Sequence, residues 1–176
     1  SDNFINYSLI RILKLYTYMI NEEIAFKSGK EKLILIDEII NHIKEYSYND
    51  VPAVRIYFLI LMLTKYGSEA KEYYFELKDM KFRNKGSLLQ EELFDMDICL
   101  VNFCTRMVLQ GSREFLKEYF ELLKESIYDS MGQKTGSVSH FRFMNAVITG
   151  LKLDEIDWVE NFIREFKDTL QAEYKD

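Results

Sequence analysis

The sequence predicts an all-α protein: about eight helices folded as four antiparallel hairpins, stacked in a right-handed α-α superhelix-like array. Three observations carry that expectation. Chain breakers are few and widely spaced, with one proline and seven glycines in 176 residues. The stretches between them place apolar residues at the 3.6-residue helical period. No long run alternates polar with apolar and no Asn-Gly hairpin turn occurs, so strands have no basis.

The elements follow in order. The first helix, near 4–27, is apolar almost all round, yet Arg11, Lys14, Asn21, Glu22 and Glu23 interrupt it. A membrane span would need about 20 mostly apolar residues, so a buried helix is expected. Gly29 separates it from a helix at 31–47 with the stripe Ile36, Ile39, Ile40 and Ile43. Pro52 opens a helix at 51–66, in a first turn where its missing N–H costs nothing. There Ile56 to Leu63 has no polar face, which demands cover on more than one side. Gly67 and the capping candidate Ser68 precede a helix at 69–82. After Gly86, Ser87-Leu88-Leu89-Gln90 fits a capping box for a helix at 88–110. Gly111 and Ser112 lead into 113–129, and Gly132 with Gly136 into 138–149. Gly150 ends that helix, and Asp154-Glu155 puts negative charge at the start of the last, 154–173. Its apolar face is Ile156, Val159, Phe162, Ile163, Phe166 and Leu170. Every breaker is thereby assigned to a boundary. The hairpins fall at 4–47, 51–82, 88–129 and 138–173, in a single domain over 1–176.

Composition agrees. Hydrophobic residues make up 48% and charged residues 30%, enough for a large core under a solvated exterior. The 12 Tyr and 13 Phe suit helix-to-helix contacts. A net charge of −6 repels phosphate backbones, so nucleic-acid binding is disfavoured. The local exception, Lys78, Lys81, Arg83 and Lys85, falls at a helix end where cations suit the dipole. Cys99 and Cys104 sit on one helix about 140° apart around its axis, too divergent to share a disulfide or a metal. They read as small buried hydrophobes. No signal peptide is recognisable and nothing calls for an oxidising compartment, so a cytoplasmic location with no membrane association is expected.

Weak self-similarity occurs at a spacing of 43 residues, matching Asn102 with Asn145, Arg106 with Thr149, Phe115 with Trp158 and Tyr119 with Phe162. At a spacing of 42, Tyr73 matches Phe115. The expected reading is a ring (Tyr73, Phe115, Trp158) buried between the helices of each hairpin. On this pattern the chain resembles a tetratricopeptide-like helical-repeat protein, without the 34-residue signature of that repeat. The last hairpin, from Phe141 through Asn145 to Ile163, is also similar to segments of uncharacterised bacterial helical-repeat proteins. The resemblance implies an α-α superhelix and carries no activity with it.

Catalytic and metal chemistry find little support. His42 and His140 lie far apart, and neither His-Glu-x-x-His nor Cys-x-x-Cys occurs, so no metal or cofactor is expected. Gly132-Gln-Lys-Thr-Gly136 lacks the order of a phosphate-binding loop and reads as a connection. The carboxylate pairs Glu22/Glu23, Glu91/Glu92 and Asp95/Asp97 are one or two residues apart and diverge around a helix. What remains is Asn102, Arg106, Arg142, Asn145 and Thr149, on the first helices of the last two hairpins. In a superhelical array such helices line the concave surface, where an Asn amide can hold a peptide backbone. The competing reading is that each Asn bonds a nearby carbonyl of its own domain. The expected function is a non-enzymatic module that binds a protein or peptide. One alternative is a structural segment of a longer repeat protein. A second is an α-helical enzyme or small-ligand binder.

Overall fold

The computed structural model describes residues 2–26, 35–46, 48–131 and 139–173. Among these the fold is all-α. Eight α-helices are present: α1 (Asp2–Phe26), α2 (Ile36–Tyr46), α3 (Pro52–Tyr66), α4 (Lys71–Asn84), α5 (Gln90–Leu109), α6 (Arg113–Met131), α7 (His140–Lys152) and α8 (Ile156–Glu173). Short 3-10 turns at Tyr48–Asp50 and Gly67–Glu69 were not expected from the sequence. Gly29, the start of the second expected helix and the loop from Gly132 to Gly136 lie outside the described residues. The chain divides into two compact units, Ser1–Phe103 and Cys104–Asp176. The division falls within α5.

In the first unit α3 is the centre. Its run from Ile56 to Leu63 is buried throughout, as the missing polar face requires. Helices α1 and α4 pack against it. Leu13 and Ile20 of α1, Ile36, Ile40 and Ile43 of α2, Tyr74 and Leu77 of α4, and Met96, Leu100 and Phe103 of α5 complete the buried set. Each such large side chain contributes about 1.5–3 kcal/mol when fully buried. Tyr74 stacks on Phe103 at 5.2 Å, and Lys81 Nζ meets Asp97 Oδ1 at 2.6 Å. These contacts advance along α4 while retreating along α5, so the two helices run antiparallel.

Two expected caps are displaced. The residue before α4 is Ala70, buried, while Ser68 lies inside the 3-10 turn. At α5 the reciprocal bond comes from Glu92, whose Oε2 accepts from the Leu89 N–H at 2.9 Å. Ser87 donates instead to the Asn84 carbonyl at 3.1 Å. A Glu two residues nearer the helix interior than Gln90 wins because its charge suits the helix start.

In the second unit α7 packs against α6 and α8. Ile127, Phe143, Ala146, Phe162 and Phe166 form its core, with Val147 and Trp158 against it. On α8 only Val159, Phe162 and Phe166 of the expected face are buried; Ile156 and Ile163 are exposed, and the Leu170 side chain lies outside the described residues. Of the three expected rings, Phe115 is fully buried, while Tyr73 and Trp158 are half-buried. Tyr73 meets Phe58 of α3 edge-on at 6.3 Å, and Trp158 stacks on Phe162 at 4.7 Å and edge-on against Phe120 of α6 at 4.8 Å.

Gly150 does not end α7. It lies within the last turn, buried, and a Cβ there would sit 2.5 Å from Val159 Cγ2 and 3.3 Å from the Phe120 ring. Its role is close approach of helices. The left-handed residue that ends α7 is Asp154, at φ 63°. Around it Glu155 N–H donates to the Gly150 carbonyl (3.0 Å) and Asp154 N–H to that of Leu151 (3.2 Å). The end of α5 is built alike. Gly111 sits at φ 86°, Ser112 N–H donates to the Met107 carbonyl (3.0 Å), and Gly111 N–H to that of Val108 (2.9 Å). This pair of bonds satisfies carbonyls left open at a helix end. Ser112 then caps α6, accepting from the Phe115 N–H at 3.4 Å.

Candidate interaction surface

The five expected site residues occupy different environments. On α5, Asn102 is exposed within the first unit. In the second unit Arg106 is half-buried on the remainder of α5. On α7, Arg142 is exposed in the first turn, where its N–H donates to the capping Ser139 hydroxyl at 3.4 Å. Asn145 is half-buried and Thr149 is buried. Thr149 therefore does not share an open polar face with Asn145, although the two are one turn apart. Its neighbour Gly150 brings α6 and α8 close, and position 149 turns inward with it.

What does face outward on these helices is apolar. On α5, Phe94, Ile98 and Leu109 are exposed; on α7, Phe141, Met144, Ile148 and Leu151 are exposed. The first and third helices, apolar almost all round, were expected to be covered on more than one side. That holds for α3, but α1 keeps part of its apolar surface open, and so do α5 and α7. The signal was present in the sequence as a second apolar stripe; nothing in one helix indicates which stripe a neighbour covers.

A polar cluster that joins three helices lies in the first unit. Lys14 of α1 pairs with Glu91 Oε1 of α5 at 2.5 Å, and its Nζ lies 4.4 Å from the centre of the Tyr57 ring of α3. Tyr57 donates to Asp95 Oδ2 at 2.9 Å. Burial, followed by the bond to Asp95, pushes the Tyr57 pKa up to about 12, against an opposing effect of Lys14. Burial alone would lower the Lys14 pKa, yet its bonds to Glu91 and Tyr57 outweigh that and the net shift is upward. Lys14 in turn holds the Glu91 carboxylate below its ordinary value. A phenol kept protonated and an ammonium kept charged act here as a clamp on three helices. A general base would need the opposite shift in the phenol.

Other residues singled out from the sequence take structural places. Asp95 and Asp97 diverge, one to Tyr57 and the other to buried Lys81. Lys81 and Arg83 stand in the last turn of α4 as the dipole favours, Arg83 pairing with Asp79 at 3.0 Å. His42 Nε2 lies 2.9 Å from the Tyr48 hydroxyl. Cys99 and Cys104 are buried free thiols, and burial, with Cys104 nearby, raises the pKa of Tyr119. Among the described residues no group of three His, Cys, Asp or Glu is placed to hold a metal ion. No described helix is long and apolar enough to cross a membrane. No family model, no curated protein and no solved structure matches the chain.

Proposed function

We propose that the chain is a non-enzymatic helical-repeat module that binds a protein or peptide along its outward helix faces. One observation carries the reading: the turns after α5 and α7 have the same pair of backbone bonds around a left-handed residue, 43 residues apart. That is the spacing at which the sequence resembles itself, and the shared turn geometry supports the reading as a repeat. Positions matched by this spacing are outward-facing in both copies, Ile98 with Phe141 and Thr105 with Ile148. The apolar position shared by Ile98 and Phe141, one helical turn before the Asn102 and Asn145 amides, suits an extended or helical segment with apolar side chains and a backbone to be held. Arg142 adds positive charge, which favours carboxylates in that segment.

Selection from a displayed random-peptide library against the protein tests this. Enrichment of apolar peptides bearing acidic residues is expected. Ile148→Asp and Asn145→Ala, both on α7, should each weaken their binding at least tenfold without lowering the Tm. No enrichment, or enriched peptides indifferent to both changes, would remove the proposal.

A further inference from the structure

Helix α1 carries an open apolar face of its own. Phe4, Tyr7, Leu15 and Tyr18 are each more than half exposed. At 100° per residue, positions 4, 7, 11, 15, 18 and 22 fall within about 80° of one another around the axis. They form one stripe along a helix of 25 residues. Only Arg11 and Glu22 interrupt it with charge. Among the described residues neither is joined in an ion pair, and the Arg11 guanidinium lies 6.0 Å from the Tyr7 ring centre. Exposed apolar stripes of this extent mark contact surfaces.

We propose that this face pairs with the same face of a second copy of the chain, the two α1 helices lying antiparallel about a two-fold axis that passes between Leu15 and Tyr18. The charges select this occupant. Arg11 and Glu22 have their midpoint between residues 16 and 17, and so do Leu15 and Tyr18. A two-fold axis at that point sets Leu15 on the second copy's Tyr18 and Arg11 on the second copy's Glu22, each contact made twice. An isologous interface has to be complementary to itself, and this stripe is so in charge and in apolar content at one register. A partner of a single charge sign would satisfy Arg11 and oppose Glu22. The overlap of residues 7–26 spans about 30 Å of helix, and Tyr7 extends the apolar contact to its edge.

Sedimentation equilibrium of the whole chain tests the pairing. The parent should show a mass rising with concentration toward twice 21.0 kDa. Arg11→Glu and Glu22→Arg should each remain monomeric, with helicity and Tm near the parent. An equimolar mixture of those two variants should dimerise, because each then offers the charge the other lacks, and R11E/E22R should dimerise alone. A parent that stays monomeric at several hundred micromolar overturns the proposal. So does a dimer that survives either single reversal, or a mixture that fails to associate. If a single variant melts early, the double variant still decides: restored fold without dimerisation sinks the register. Peptide binding at α5 and α7 is unaffected in every arm, so this outcome is separable from the proposed function.

Discussion

At the scale of single residues, Gly150 shows what a sequence reading misses when it takes glycine only as a breaker. A breaker needs φ freedom, whereas Gly150 is helical and is valuable for what it lacks. The missing Cβ lets α7 approach Val159 of α8 and Phe120 of α6. Val159 is β-branched and stiff at χ1 in a helix, so it yields poorly. Gly150→Ala gains about 1 kcal/mol of helix propensity. Overpacking costs about 1–3 kcal/mol. The expected net is a lower Tm. Val159→Ala in the Gly150→Ala background should recover part of the loss, giving a favourable coupling in a double-mutant cycle. Additive effects would show that the Cβ contact is relieved elsewhere.

At the scale of elements, helix number and order were legible because breakers and period agree. Ends were less so. Ser68, Ser87 and Asp154 have the chemistry of caps, but the first two are passed over by 3-10 or turn geometry and Asp154 ends α7 instead. The recurrent turn makes a matched pair of predictions. Asp154 occupies at φ 63° the place that Gly111 fills at φ 86°. A side chain in that conformation costs roughly 1 kcal/mol or more relative to glycine. Asp154→Gly should therefore stabilise, losing only an exposed contact to Arg113 at 3.6 Å, and Gly111→Ala should destabilise. Opposite signs in urea midpoints are expected; equal signs would mean the turns are not equivalent. Within the first unit, α3 is covered on all sides while α1 keeps an open face. Amide exchange should then be slowest at Ile56 to Leu63, since local opening there requires loss of the unit's core. Faster exchange in that run than in α1 would contradict the burial pattern.

At the scale of the whole molecule, the sequence conveyed the helical class but not the division into two units, since the boundary falls inside α5, a helix with no breaker to announce it. Nor did it convey which site residues stay open: Thr149 and Asn102 look alike in an amphipathic pattern until the crossing at Gly150 turns one of them inward. The clamp in the first unit was equally hidden, because Lys14, Tyr57, Asp95 and Glu91 come from three separated helices and no local spacing links them. It has a measurable consequence in the pH dependence of stability. Tyr57 titrates near pH 12 in the fold and near 10 in the unfolded chain. Between those values the native state holds the phenolic proton and the unfolded state has released it, so stability falls as pH rises. Lys14, raised above 10.5, acts in the same direction, since the unfolded chain loses its ammonium proton first. The contribution of Tyr57 is complete below pH 10 and is lost by about 12; two pKa units correspond to about 2.7 kcal/mol, which solvent screening at this partly open site reduces to something on the order of 1–2 kcal/mol. Glu91 acts at the other end, its contribution present above the ordinary carboxylate range and lost as pH falls through its lowered value. Urea unfolding from pH 9 to 12 should show a steeper decline for the parent than for Tyr57→Phe, which is less stable at pH 9 but has no phenol to ionise at that position. Parallel declines would show that Tyr57 is open to solvent and titrates like the other tyrosines.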